Sequence, residues 1–451
     1  MSINPADSAI FGAPYTTDEI RARYSDRAHL QFMLDVEAAL ARAEAKLGLV
    51  PSAVADSITR AARAENLRLD YIADSTRRVG YPVAAIVKEL ARVAGDEAAR
   101  YIHLGATTQD ILDTATVLQL RAAFAIIRRD ILALARSLSA RAVRYRDTPM
   151  AGRTHLQHAV PITFGLKCAV WASPLITHLE RLDQAARRIL VVQFGGAAGT
   201  LAVLGKDGSA VVEAIAHELA LGVPTIPWHA QRDGFAEMST ILGLISGTLS
   251  KFALDVTLLM QTEVAEISEP HEEGRGGSST MPQKRNPIAS EYILAATRGV
   301  HALVPVMLGA MTSDHERATG PWQSESLALP QCVALTAGAL AHARSIADGM
   351  TVDVDRMRRN LDLTARLIMA EAVTTALIPA IGRAAAETAV ARACDRALEK
   401  RISLAAALRD DPELRPHLSD ADIERITDPA AYLGSAGTFV DRVVARIASI
   451  V

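Results

Sequence analysis

The apolar residues of this chain recur at the spacing of α-helices along most of its length. Residues 110–148 contain neither glycine nor proline, and as one helix they would span about 39 residues or roughly 58 Å. Four more long helices are predicted, at 162–191, 232–268, 288–311 and 322–349. Proline, which a helix start tolerates, stands before three of them, at Pro161, Pro287 and Pro321. Alternating strand-like runs are nearly absent, so we predict an all-α fold with a central bundle of five long helices.

The two ends of the chain contain shorter helices than the middle. Ser25, for example, is expected to cap a helix that runs to Leu47. We predict three domains: an N-terminal helical domain at 1–105, the long-helix bundle at 106–352 and a C-terminal helical domain at 353–451. The apolar faces of such long helices need partner helices, which indicates a homo-oligomer.

Composition and charge narrow the class of protein. Half of the 451 residues are hydrophobic and the net charge is −3, which excludes a disordered chain and argues against general nucleic-acid binding. Residues 1–15 lack the features of a signal peptide, and the uncharged stretches 189–205 and 326–343 contain glycine, glutamine or proline, so no membrane span is predicted. Three cysteines without close pairing fit a reducing cytoplasm. They are Cys168, Cys332 and Cys394.

Polar, glycine-rich joints separate the long helices, as expected for a site carried on a rigid scaffold. They lie at 103–110, 152–161, 193–205, 269–287 and 313–322. In the fourth joint, glycines and serines are followed by Lys284, Arg285 and Asn286. Mobile backbone, hydroxyls, cations and an amide in one loop are typical of a lid over an anionic substrate, whereas the Gly-Gly-Ser-Ser part alone would indicate a linker.

The string Gly277-Ser-Ser-Thr-Met-Pro-Gln-Lys-Arg-Asn-Pro287 resembles the signature loop of the fumarase/aspartase superfamily. Two other blocks, His103-Leu-Gly-Ala-Thr-Thr-Gln-Asp110 and Gly152-Arg-Thr-His-Leu-Gln-His158, resemble that family in the expected order. The resemblance covers essentially the whole chain and implies a three-domain, all-α fold with a lid loop at 270–287. Further strings resemble the branch that contains 3-carboxy-cis,cis-muconate cycloisomerase and adenylosuccinate lyase. They lie at 192–199, 228–233 and 314–317.

The resemblance implies a reaction in which a base removes a proton beside a carboxylate and the next carbon loses a group on the opposite face. Ser278 is the implied base, with Ser279 as the alternative. The doubly charged aci-carboxylate intermediate needs cations and hydrogen-bond donors around it, and Lys284 is the expected cation. The residues expected to bind substrate are Thr107, Thr108, Gln109, Arg153, Thr154, Gln231, Ser279, Asn286 and Arg317.

The leaving group needs a proton from the opposite half of the site. By resemblance the acid is His155, and Glu291, thirteen residues after Ser278, is the carboxylate that would orient its imidazole and raise its pKa. His103, in the first block, is a second candidate. The roles of three other histidines stay open: His158, His229 and His315.

Two departures from family patterns bear on the substrate. After Glu316-Arg317, adenylosuccinate lyases continue with a serine- and arginine-bearing tail, but here Ser326 stands where that arginine would be, which disfavours an AMP-bearing substrate. Typical bacterial muconate cycloisomerases lack the histidine and glutamate at the positions of His155 and Glu291, because closing a lactone expels no separate group. Their presence here favours elimination from a substituted succinate, giving fumarate and an amine or a group such as nitrite.

Two alternatives to this elimination remain. Overall similarity points to the lactonizing cycloisomerase, and the family also includes inert structural proteins, which would not need the predicted catalytic set. No cofactor or metal is expected, because Walker, HExxH, CxxC and G-x-S-x-G motifs are absent. The expected partners are a small polycarboxylate substrate and further copies of this chain, in a cytoplasmic homotetramer whose active sites are shared between subunits, without nucleic acid or membrane.

Overall fold

The computed structural model describes residues 4–270, 281 and 283–450, and these are mainly helical, which confirms the all-α prediction. The first helices are α1 (Asp18–Arg23), α2 (Asp26–Lys46), α3 (Ser52–Ala61), α4 (Leu69–Val79), α5 (Val83–Ala94) and α6 (Asp96–Ala99). The middle helices are α7 (Thr108–Arg144), α8 (Phe164–Ile189), the shorter α9 (Gly208–Leu219), α10 (Asp233–Leu259), α11 (Ile288–Gly309) and α12 (Pro321–Gly349). The last helices are α13 (Val354–Leu361), α14 (Ala370–Ile381), α15 (Arg383–Lys400), α16 (Leu404–Arg409), α17 (Asp420–Ile426) and α18 (Ala436–Ala448).

All five predicted long helices are present, but α10 ends nine residues before the predicted position 268. After α10 the chain turns at Ala265, whose φ is +49°, and the backbone N–H of Glu266 donates to Leu259 O at 3.0 Å. The chain then enters a short strand, β3 (Ile267–Ser268), which pairs antiparallel with β4 (Thr351–Val352). Apolar spacing alone does not reveal this end, because it depends on partners far away in sequence.

A β-hairpin between α7 and α8 is the other feature that the helical pattern did not predict. Strands β1 (Pro149–Thr154) and β2 (Gln157–Thr163) pair antiparallel, with Met150 opposite Ile162. They leave His155 and Leu156 as the two residues of the connecting turn. The second joint of the sequence is therefore part of a β-hairpin.

The chain divides into two compact units. The first unit comprises Met1–Ile131, His178–Leu249 and Tyr292–Ala341, and the second comprises Leu132–Thr177, Ser250–Glu291 and His342–Val451. Each of the five long helices contributes one part to each unit. The three domain boundaries inferred from the sequence remain a prediction.

Each unit has its own apolar core. In the first unit, α2, α3, α5 and α9 pack with the start of α7 around residues such as Leu34, Ile58 and Ile86. Ser25 caps α2 as predicted, since its Oγ accepts from Ala28 N at 3.3 Å. In the second unit, α14 to α17 form a separate core. Its central side chains include Val373, Leu408 and Ile423.

By length and apolar composition alone, α10, α11 and α12 could each cross a membrane. Their buried polar side chains pair with one another in the first unit. Ser246 Oγ lies 3.1 Å from Thr336 Oγ1, and Thr297 Oγ1 donates to Ser246 O at 3.0 Å. Such pairing is expected of helices packed in a bundle, because buried hydroxyl groups need partners.

The fully buried Arg232 connects α7, the start of α10 and α12 through hydrogen bonds. Arg232, just before α10, donates to both oxygens of Asp113 at 2.6 and 2.9 Å and to Glu325 Oε1 at 2.9 Å. Its guanidinium carbon also lies 5.1 Å from the ring centre of Trp228 and 5.0 Å from that of Phe235. Burial opposes the charged form of Arg232, but the two carboxylates outweigh it and raise its pKa. Arg232 therefore stabilises the packing of α7, α10 and α12 within the first unit.

Replacing Arg232 by methionine should destabilise the protein by about 3–5 kcal/mol, because two buried carboxylates would lose their shared partner. The matched control is Arg188→Met, which removes an exposed arginine paired with Glu237 and should destabilise far less, because solvent screens that pair. Urea unfolding at fixed protein concentration measures both changes. Equal losses of stability in the two variants would contradict the structural role of Arg232.

Candidate active site

The predicted site residues fall into two groups, one in each unit. His103, Thr107, Thr108, Gln109, Gln231 and Arg317 belong to the first unit. Arg153, Thr154, His155, Lys284, Asn286 and Glu291 belong to the second. The two candidate bases, Ser278 and Ser279, lie outside the described residues.

Asp110 organises the loop that begins α7. It is fully buried, and its Oδ2 accepts from Thr107 N and Gly196 N, both at 2.9 Å. Its Oδ1 accepts from Gly195 N at 2.9 Å and lies 2.6 Å from His229 Nε2. One carboxylate thus joins the first block, the glycine-rich third joint and the segment before α10. It gives buried His229 a structural partner.

Arg317 lies against the start of α7. Its Nη1 donates to Thr107 Oγ1 at 3.1 Å and its Nη2 to Ala197 O at 3.0 Å. The N-terminal N–H groups of α7, which begins at Thr108, carry partial positive charge. A guanidinium and a long helix's N-terminus at one place favour an anion, as expected for a carboxylate subsite.

The two glutamines of the first group lie in different surroundings. Gln109 is fully buried, and its Nε2 donates to Asp113 Oδ2 at 3.1 Å and His229 O at 3.0 Å. Its amide group therefore stabilises the loop through hydrogen bonds to buried groups. Gln231 is exposed, and its backbone N–H closes a turn on Trp228 O at 3.1 Å. Its side chain is open to solvent.

His103 pairs with a glutamate, Glu37, that no sequence motif singles out. Its Nδ1 lies 2.6 Å from Glu37 Oε1, and its backbone is strained, with φ at +65°. Burial lowers the pKa of His103, but the charges of Glu37 and Asp110 outweigh it, so the pKa is raised above its usual value. Glu37 lies in the middle of α2, and no motif marks its position.

Glu44, further along α2, is also fully buried. Among the described residues, neither of its carboxyl oxygens has a hydrogen-bond partner. Burial, together with the nearby charge of Glu37, raises the pKa of Glu44 to about 8. With its pKa near 8, most of this carboxyl group is protonated, and therefore neutral, at pH 7.

The β1–β2 hairpin presents His155 at its tip. His155 and Leu156 both have positive φ, at 51° and 65°, although hairpin turns of this kind favour asparagine and glycine. His155 is exposed, and Leu156 is 76% exposed. A strained turn that carries a histidine and an exposed leucine is costly for stability, and such strain is often found at functional positions.

Arg153 anchors this hairpin to the turn after α10. It donates to Glu266 Oε2 at 2.9 Å and Oε1 at 2.7 Å, and Asn360 Nδ2 donates to the same carboxylate at 2.8 Å. Glu266 is fully buried. Arg153 is therefore held by protein groups, whereas Thr154, at the end of β1, is exposed. Burial, aided by the charge of Arg153, lowers the pKa of His158.

Glu269 fixes the start of α11, the helix that follows the predicted lid in the sequence. This buried carboxylate accepts from Ala289 N at 3.0 Å and from Ser290 N and Oγ at 2.8 and 2.7 Å. It thereby satisfies N–H groups of the first turn that have no partner within the helix. The partial positive charge of these groups in turn stabilises the carboxylate. The helix start is fixed beside the predicted lid.

The remaining predicted residues stand around this helix start. Lys284 is exposed, Asn286 is half-buried and Glu291 is exposed on the first turn of α11. Among the described residues, no hydrogen bond joins Glu291 to His155 within one chain. Their predicted pairing therefore requires either a rearrangement or a second subunit.

Comparison with known proteins gives matches over nearly the whole chain. The family model described as "Lyase" matches residues 13–301, and the model described as "Adenylosuccinate lyase C-terminus" matches residues 366–443. The 3-carboxy-cis,cis-muconate cycloisomerase of Pseudomonas aeruginosa is 47% identical over 449 residues, covering 99% of this chain and 98% of that protein. Nitrosuccinate lyase of Streptomyces davaonensis is 42% identical, covering 97% and 94%. The solved structure of the 3-carboxy-cis,cis-muconate lactonizing enzyme from Pseudomonas putida matches with a TM-score of 0.93 and 44% identity, covering 98% and 99%.

Glu44→Gln should remove a pH dependence of stability. The folded protein keeps the Glu44 proton up to about pH 8, whereas the usual pKa of 4.5 applies when unfolded. Between these values the folded state binds more protons, so the free energy of unfolding of the wild type falls as pH rises. The variant should be more stable by an amount that grows from near zero at pH 4.5 to on the order of 3 kcal/mol at pH 7.

Urea unfolding across this pH range measures the difference, and Glu218→Gln is the control. Hydrogen bonds from Lys46 and Arg42 lower the pKa of Glu218, so its contribution to stability is present above the unfolded pKa. The control should therefore destabilise at neutral pH, the opposite sign. A Glu44 variant whose stability changes with pH as the wild type's does would refute the buried neutral carboxyl.

Proposed function

Because this chain belongs to the lyase family of the fumarase/aspartase superfamily, we propose that it is an enzyme that cyclises 3-carboxy-cis,cis-muconate to a lactone. The observation that carries this proposal is the 47% identity, over 99% of the chain, to a protein named for that reaction. The comparisons thus favour the alternative of the sequence analysis over its preferred elimination.

In the lactonizing direction, a carboxylate oxygen of the substrate adds to the neighbouring double bond and a proton is delivered to the adjacent carbon. That carbon lies beside another carboxylate, so negative charge collects there before protonation. Arg317 at the start of α7 supplies a cation and helix N–H groups for one carboxylate. Lys284 and Asn286 supply further donors, and the Ser278 hydroxyl delivers the proton to carbon and is then reprotonated from water.

Elimination from a substituted succinate is a second candidate, and His155 is the observation that favours it. In this reaction Ser278 takes the proton beside a carboxylate, the bond to the leaving group breaks, and His155 protonates that group. Glu291 would restore the proton to His155. A strained turn that exposes a histidine has an evident use in this chemistry, and the relative named nitrosuccinate lyase has a name that fits it.

The active enzyme, in this proposal, is a cytoplasmic homotetramer whose sites take residues from several subunits. Apolar side chains on α11 and the following loop support an interface, since Val306, Leu308 and Met311 are 40%, 49% and 41% exposed. In the other unit, Leu156 at the hairpin tip is a further exposed apolar side chain that a partner subunit would cover. Lid, hairpin and first block would then meet across subunit boundaries, where His155 of one chain reaches Glu291 of another.

Proton NMR of the purified protein with a substrate panel separates the two reactions. The panel contains 3-carboxy-cis,cis-muconate, N-substituted aspartates, nitrosuccinate, argininosuccinate and adenylosuccinate. We expect lactone from the muconate, and His155→Asn should change its rate less than about tenfold, whereas a general acid would be worth about 10²–10⁴-fold. His217→Asn, on the exposed side of α9, is the matched control and should leave turnover unchanged. Fumarate from a succinate, lost in His155→Asn, would establish the elimination instead.

Mixing two inactive variants tests the shared sites. For elimination, Ser278→Ala and His155→Asn should each abolish turnover while leaving the oligomer intact. For lactonization, the second variant is Arg317→Met, because Arg317 lies beside the first block and not in the lid that carries Ser278. When the variants are unfolded and refolded together, about a quarter of the sites should combine intact residues from different subunits and recover activity. Light scattering checks the assembly. No recovery in correctly assembled mixtures would contradict sites shared between subunits.

A further inference from the structure

Glu37 and Glu44 lie on the buried face of α2, and the reaction proposed above uses neither of them. They are 1% and 0% exposed. Seven residues correspond to about two turns of helix, so the two carboxyl groups lie on the same side of α2. Buried carboxyl groups are costly unless they are paired or neutral, and the two residues meet this cost in different ways.

Glu37 is paired with His103. The distance of 2.6 Å between Oε1 and Nδ1 is that of a short, charge-assisted hydrogen bond. The side chain of His103 is 21% exposed, whereas that of Glu37 is 1% exposed, so the imidazole reaches solvent and the carboxylate stays behind it. Because Nδ1 is taken by Glu37, Nε2 is the nitrogen that remains for a substrate.

The backbone of His103 adds to this restraint. Its φ of +65° lies in the left-handed region, which residues with a side chain adopt rarely and at a cost. Three residues on, the loop continues into Ala106 and Thr107, and Asp110 holds Thr107 through its backbone N–H. A ring fixed at its backbone and at one nitrogen loses little further freedom when it acts, which is what a preorganised site requires.

Charged groups near this pair come from α7, from α9 and from α2 itself. Asp110 faces His103 from α7 and acts in the same direction as Glu37. Glu218 on α9 also approaches α2, but Arg42 and Lys46 pair with it. Glu44 is a further acidic neighbour of Glu37, and because it has no hydrogen-bond donor among the described residues, its neutral form is favoured.

We infer that Glu37 is a positioning residue that holds the His103 imidazole with Nε2 available to the substrate, and that Glu44 protects this pair by adding no second negative charge. This assignment rests on the proposed function for the use of His103, but the pairing itself can be measured without a substrate. The imidazolium form supplies a proton or a charge-assisted hydrogen bond to a substrate carboxylate through Nε2.

The test follows the titration of His103 in the whole assembled protein. Exchange of the imidazole C2 hydrogen for deuterium, read by mass spectrometry of the peptide that carries His103, gives its pKa. We expect a wild-type value above 6.5, because Glu37 outweighs burial. In Glu37→Gln the value should fall by about 1–3 units, since burial is then opposed less. Glu37→Asp keeps the charge and should lie between them.

Two further variants keep the test decisive if Glu37→Gln fails to fold. Glu44→Gln should leave the His103 titration below pH 7 unchanged, because it replaces a neutral group by another. Glu218→Gln, the matched control on the same helix pair, should also leave it unchanged. An unchanged pKa in folded Glu37→Gln would overturn the assignment, and so would a fall in Glu44→Gln comparable to that expected for Glu37→Gln.

Turnover then separates this inference from the proposed function. If His103 acts as its protonated form, the limb of the kcat profile at which activity falls with rising pH should move to lower pH in Glu37→Gln, by the same shift as the His103 titration. Absence of turnover in the wild type would reject the proposed function and leave the pairing intact. A kcat profile that stays in place while the titration moves would show that His103 has no protonated role.

Discussion

A single buried carboxylate, that of Asp110, is the interaction on which the first unit's part of the site depends. Its two oxygens contact three backbone N–H groups and one imidazole, drawn from three segments that are far apart in sequence. Because four partners satisfy it, the charge can be buried without the penalty of an unpaired ion. Asp110 fixes the position of Thr107, and Arg317 in turn donates to the Thr107 hydroxyl. Both residues thus lie at the N-terminal end of α7, which favours anions.

In the second unit, buried carboxylates position neighbouring segments at two places. Glu266 holds Arg153 of the hairpin, and Glu269 holds the first N–H groups of α11. Both carboxylates are buried, whereas the residues that they place in position, His155, Lys284 and Glu291, are exposed. The exposed candidate side chains therefore stand on segments that buried, paired carboxylates hold in place, which is what a preorganised site requires.

The sequence predicted what depends on local spacing and missed what depends on distant pairing. The five long helices follow from apolar periodicity, and Ser25 was a recognisable cap. The early end of α10 could not be foreseen, because Glu266 leaves the helical pattern to meet an arginine 113 residues away in the chain. Glu37 was missed for the same reason, since a glutamate within a helix shows nothing of a histidine 66 residues later.

The hairpin turn is the place where stability and function are most clearly opposed. Asparagine and glycine would adopt its positive φ values at little cost, whereas His155 and Leu156 accept strain at both positions. Neither side chain recovers that cost by burial within its own chain, because both are exposed. In the proposed assembly, contacts outside the chain would offset this strain, with Leu156 packed on a second subunit and His155 facing a substrate.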